Sequence, residues 1–147
     1  MSELWNALPQ SVKDCQTKNQ LKNTLNINPR CKIQKAFHEH GQRKANILHC
    51  RLRNFASSLN SDLFKANLVP SSVCECGHEM ENSKHFLLYC PKYNIQRNKL
   101  VDELRWCPTN ITVEFLIHGD PGLNIDDNIK ICQSVHNFLT RSNRFDA

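Results

Sequence analysis

Glycine is scarce in this chain, with four residues in 147, and proline adds only six, which with the apolar content argues against low-complexity and disordered classes. No apolar run approaches the ~18 residues that a membrane span requires. The opening segment, MSELWNALPQ, lacks the basic-then-apolar layout of a secretory signal. These absences set an expectation of a soluble, intracellular protein with no membrane partner, in either nucleus or cytoplasm. What is present is a hydrophobic fraction of 39%, enough for one modest core that buries roughly two-thirds of the unfolded surface.

Eight cysteines without an export signal point to metal ligation or burial rather than to disulfides. Three of them gather in CECGHEMENSKHFLLYC, residues 74–90, where Cys74, Cys76, His85 and Cys90 spell C-x-C-x8-H-x4-C. Three thiolates and one imidazole make the donor set of a closed tetrahedral zinc site. Gly77 follows the first pair, where the chain must turn sharply around an ion. Asn82 or Ser83 can cap a short helix over 84–89, with His85 in its first turn and Cys90 just past its end, and Pro91 stops that helix. Phe86 with Leu87 or Leu88 supplies apolar cover. His78 is a rival third ligand, and His85 on the helix is preferred. Cys15, Cys31, Cys50, Cys107 and Cys132 are scattered and read as small buried side chains. His38 and His40 have no nearby partner for a metal.

Charge divides unevenly along the chain. Residues 1–69 carry 11 Lys/Arg against 4 Asp/Glu, a net of +7, whereas residues 70–147 carry 8 against 10, a net of −2. Such asymmetry fits either a polyanion-facing surface or a merely solvated basic face. The clearest helical pattern runs over 42–59, where Leu48, Leu52, Phe55 and Leu59 mark one face and Arg43, Lys44, Arg51 and Arg53 lie mostly off it. Those four are the candidate phosphate contacts. Ser61 is expected to cap a second helix carrying Leu63, Phe64 and Leu68, terminated by Pro70.

Upstream, a marginal helix is expected over 14–26 and a linker over 26–42, on account of Pro29, Gly41 and the polar residues between them. Downstream, Tyr93, Arg97, Leu100, Val101 and Leu104 fall at helical spacing, and Trp106 closes that segment. Tyr93 or Trp106 is more ordinary as core than as a base-stacking platform. Residues 111–117 form an apolar run of undecided type, ended by a turn at His118-Gly119-Asp120-Pro121-Gly122. Asp126-Asp127 reads as the cap of a last helix reaching Thr140, with Ile129, Cys132, Val135, His136 and Leu139 inward and His136 a hydrogen-bonded core residue.

Leu48-His49-Cys50-Arg51-Leu52-Arg53, the C-x-C-G…H-F-L-L-x-C-P pattern and the flanking Tyr93 and Arg97 together resemble the carboxy-terminal zinc-binding region of reverse transcriptases from jockey-like non-LTR (LINE-type) retrotransposons. Leu4 to Pro9 with Val12 is similar to the segment after the polymerase thumb, and His118-Gly119-Asp120 through Val135-His136 and Phe138 to Arg144-Phe145 is similar to the extreme tail. The resemblance implies a nucleic-acid-binding region that helps the parent enzyme hold RNA or DNA, with the polymerase portion as a further partner. The chain itself has neither the aromatic-Ala-Asp-Asp turn of a polymerase palm, which binds two magnesium ions, nor a Pro-Asp pair of a restriction-like nuclease.

The resulting expectation is a mostly α-helical domain with one structural CCHC zinc knuckle, no catalytic residues and no enzymatic activity of its own. Residues 1–41 are read as a post-thumb-like segment and linker, 42–106 as a helical hairpin with the zinc module, and 107–147 as a helical tail. A structural or protein-interaction appendage, or a transposon relic without function, are the alternatives.

Overall fold

The computed structural model describes residues 29–146. The expected helix over 14–26 and the apolar anchor at Leu4 to Val12 lie outside them. Among the described residues the fold is mostly α, with no strand. It comprises α1 (Pro29–Glu39), α2 (Arg43–Arg53), α3 (Asn60–Lys65), a π-helical turn (His85–Tyr89), a 3-10 turn (Pro91–Tyr93), α4 (Asn94–Glu103), α5 (Val113–His118) and α6 (Ile125–Ser142). No helix in this region is long and apolar enough to cross a membrane.

Most of the linker expected over 26–42 is instead helix, over Pro29–Glu39. Pro29 stands at the first helical position, where its missing N–H is no loss, and Ile33, Ala36 and Phe37 form a buried stripe at i, i+3 and i+4. Gly41, at φ +93°, makes the turn into α2.

Helix α2 stops at Arg53, six residues short of the expected end. Ala56 N–H bonds to Arg51 O at 3.0 Å and Phe55 N–H to Leu52 O at 3.4 Å, which is a Schellman closure with Phe55 at φ +53°. That position normally carries glycine, so a phenylalanine there conceals the helix end. Phe55 consequently leaves the apolar face and is 70% exposed, while Ala45, His49 and Leu52 are the buried positions.

Helix α3 ends in the same manner, with Leu68 N–H on Leu63 O at 2.9 Å and Asn67 at φ +57°. Asn67 rather than Pro70 terminates it. Its cap is Leu59, and the expected cap Ser61 lies inside the helix. The undecided run over 111–117 becomes α5, capped by Thr112, whose hydroxyl oxygen accepts from Phe115 N–H at 3.1 Å. Asn124, not Asp126-Asp127, caps α6 by accepting Asp127 N–H at 2.7 Å, and the two aspartates occupy the first turn, where the helix dipole favours them.

Helix α6 is the central strut, packed against α1, α2, α4 and α5. Its Ile131, Val135, Phe138 and Leu139 join Leu52, Leu59, Phe86, Leu87, Leu100, Leu104 and Leu116 in one core, all at most 2% exposed. Phe86 is fully buried between Tyr93, Phe138 and Phe145, at ring-centroid distances of 5.0, 5.3 and 5.5 Å in edge-to-face arrangements. The tail past α6 then folds back. Arg144 grips the 2%-exposed Glu81 carboxylate through Nε at 2.8 Å and Nη2 at 2.7 Å, and also donates to Ser58 O at 3.0 Å.

Glu81 has one further donor in Asn60 N–H at 2.8 Å. Removing the guanidinium therefore strands a buried charge, and we expect Arg144→Met to lose about 3 kcal/mol, the low end for such a pair because the arginine retains some water. Urea denaturation checks this, and a loss below about 1 kcal/mol would show that the pair behaves as a surface ion pair.

Candidate metal centre

Residues 72–81 double back on themselves. Glu81 N–H bonds to Ser72 O at 2.8 Å, Cys74 N–H to His78 O at 2.9 Å, and Gly77 N–H to Cys74 O at 2.9 Å. Gly77, at φ +92°, closes the turn in a conformation that side chains strain to adopt. The turn directs Cys74 inward, at 3% exposure, and leaves Cys76 facing solvent.

The other two candidate ligands come from the helical segment that follows. Of the two expected caps, Asn82 serves, its Oδ1 accepting His85 N–H at 2.8 Å. The segment then widens into a π turn, with Cys90 N–H bonded to His85 O, five residues back, at 2.7 Å. At 3.6 residues per turn, positions five apart point about 140° apart, so a regular α-helix would turn Cys90 away from His85. The wider turn and the extended backbone of Cys90, at ψ 119°, bring both side chains to one side.

All four side chains converge, with their ligand atoms within 4.8 Å of one another. Cys74 Sγ and Cys90 Sγ are 3.7 Å apart, and Cys76 Sγ lies 3.3 Å from His85 Nε2. For an ion with zinc's bond lengths, tetrahedral edges are about 3.8 Å between two sulfurs and about 3.5 Å between sulfur and nitrogen. The residues therefore fit a four-coordinate ion. His78 is not among them: its Nδ1 lies 3.1 Å from Met80 O, and its ring stacks on His85 at 4.1 Å. Burial pushes the Cys74 thiol up to about 12 and raises Cys90, whereas a hydrogen bond from the His78 amide lowers Cys76. Burial, and then the neighbouring His78, keep His85 below the usual histidine range. An incoming ion must displace the thiol protons, as thiolate sites require.

Two supports hold this geometry. Phe86, next to His85, anchors the π turn in the core. Arg97 reaches back from α4 and donates through Nη2 to Cys90 O at 2.7 Å and Phe86 O at 3.3 Å, and through Nε to Leu87 O at 2.9 Å. It thereby supplies charged donors to carbonyls at the end of the helical segment.

The four candidate phosphate contacts separate. Arg43 and Arg51 are exposed and line a shallow recess of about 560 Å³ together with His38, Asn46, Ile47 and Cys50. Lys44 is exposed and paired with Asp146. Arg53 turns inward, donating to Ile117 O at 3.4 Å and lying 5.7 Å over the Phe37 ring. Trp106 is 42% exposed, with Lys130 at 5.1 Å over its ring, whereas Tyr93 is core.

A second convergence escapes the sequence reading. His49, Cys132 and His136 are all buried, and their ligand atoms also lie within 4.8 Å of one another. The Cys132–x3–His136 spacing on one face of α6 is the available signal, but its third member is 83 residues away. Comparison with known proteins gives no match among family models, curated proteins or solved structures.

Changing Cys90 to Ser is expected to remove about one bound metal ion per chain, and chelation should lower the melting temperature of the unaltered protein. Arg97→Met is expected to weaken metal affinity about tenfold while leaving the ligands in place. Competition with a chromogenic chelator measures both effects. An unchanged melting curve on chelation is the outcome that would sink the assignment.

Proposed function

We propose that this chain is a zinc-binding, nucleic-acid-binding tail module of a non-LTR retrotransposon reverse transcriptase, without a polymerase or nuclease site of its own. The observation that carries the reading is the convergence of Cys74, Cys76, His85 and Cys90 at tetrahedral spacing. Zinc suits three thiolates and an imidazole better than hard cations do. With four protein ligands no coordination position remains for water, so the ion would stabilise the fold rather than activate a nucleophile. Apparent binding free energies of about 10–16 kcal/mol in zinc-finger peptides show the scale of that effect.

RNA or DNA would be engaged through the phosphate backbone by Arg43 and Arg51 on the rim of their recess, which accounts for a weakly sequence-specific contact. A second reading has a specific observation in its favour: Lys44 is already paired and Arg53 is turned inward, so two of the four basic side chains are committed within the protein. On that reading the module is a structural or protein-interaction appendage stapled by zinc.

Fluorescence anisotropy with single-stranded RNA and duplex DNA separates the two. The first reading expects affinity to fall with salt, and the log–log slope to shrink by about 0.7–0.9 for each of Arg43→Gln and Arg51→Gln. Absence of binding at about 50 mM salt leaves the appendage reading in its place.

A further inference from the structure

We propose that His49 Nδ1, Cys132 Sγ and His136 Nε2 form a second metal site, taking a zinc-like divalent ion between α2 and α6. The inference is independent of the nucleic-acid reading and of the centre formed by residues 74–90.

The distances carry it. His49 Nδ1 lies 3.3 Å from His136 Nε2, and Cys132 Sγ lies 3.3 Å from His136 Nε2 and 3.8 Å from His49 Nδ1. Around an ion with zinc's bond lengths, the tetrahedral edges are about 3.3 Å between two imidazole nitrogens and about 3.5 Å between sulfur and nitrogen. Three donors thus occupy one face of such a tetrahedron, in the donor class that zinc favours.

Each donor is also held in place. His49 Nε2 lies 3.1 Å from Ile117 O, and an N–H donated to that carbonyl leaves the Nδ1 lone pair directed at the cluster. Orienting a ligand histidine through its other nitrogen is the usual outer support of a metal site. Phe37 stacks on His49 at 5.3 Å. Behind His136, a Cβ at position 41 would stand 2.7 Å from Nδ1, so the turn between α1 and α2 needs glycine to leave the imidazole its place. Cys132 and His136 share one face of α6, four residues apart.

The electrostatics agree in part. Burial lowers His49 to about 3 and His136 to about 4, with the Arg53 charge acting in the same direction, so both imidazoles are neutral donors at neutral pH. Burial pushes the Cys132 thiol up to about 12, against a smaller opposing effect of Arg53. The thiol must therefore release its proton to water as the ion binds sulfur. A nucleophilic role for Cys132 is excluded by its 1% exposure, which leaves no approach for a substrate.

The test is a metal count on the full, reduced chain, saturated with zinc and desalted. About two zinc ions per chain are expected, falling to about one in Cys132→Ala, in His136→Gln and, separately, in Cys76→Ser. Far-UV circular dichroism identifies any variant that fails to fold, and the unaltered chain together with the remaining variants then decides. About one ion, lost in Cys76→Ser and retained in Cys132→Ala or His136→Gln, overturns the proposal and leaves a hydrogen-bonded core triad. About one ion with the reverse pattern supports the second site and overturns the first.

Discussion

The burial of Phe86 is the constraint on which the rest depends. Its ring is enclosed by Tyr93, Phe138 and Phe145, which belong to the 3-10 turn, to α6 and to the tail beyond it. Because the side chain next to His85 is fixed in the core, the buried imidazole is directed to the other side of the segment, facing Cys74, Cys76 and Cys90. A large aromatic side chain contributes several kilocalories per mole through burial, and its edge-to-face contacts fix orientation as well. The metal motif is therefore wedged into the hydrophobic core rather than attached to its surface.

Polar contacts complete what the wedge begins. Glu81 closes the thiol-bearing turn and is gripped by Arg144 from the tail, and Arg97 caps the carbonyls of the π turn from α4. Both arginines add charged donors to buried acceptors, the Glu81 carboxylate and the carbonyls of Phe86, Leu87 and Cys90, and leaving such groups under-satisfied costs more than a formed hydrogen bond gains. The residue range of the motif, 74–90, understates the site, since α4, α6 and the tail all hold it.

The sequence is legible where a local rule has a local cause. Four candidate ligands within 17 residues that converge, a glycine at the turn and Asn82 as cap are such cases, and so are the long apolar face of α6 and the mostly α fold. It misleads where a position that favours one residue type is filled by another. Phe55 and Asn67 occupy left-handed helix ends, so α2 and α3 stop before the apolar pattern does. Residues 29–39 resemble a linker by Pro29 and polarity, yet three apolar residues at the right spacing suffice once α6 is there to receive them. The π turn has no sequence signature here, and the His49–Cys132–His136 cluster depends on a contact that only the tertiary fold supplies.

Helix α6 connects the two clusters physically. One face carries Phe138 against Phe86, beside the first set of ligands, and the same helix carries Cys132 and His136 against His49. An ion that binds the folded chain and not the unfolded one stabilises it in proportion to the logarithm of its concentration over its dissociation constant. If both clusters held ions and the core unfolded as one unit, each ion would stabilise the fold that the other requires. Losing the first would then raise the fraction of unfolded molecules, and the apparent affinity of the second would fall accordingly even though no ligand is shared. Coupling of this kind needs only a common folding transition, and the continuous core from Leu52 to Leu139 provides it.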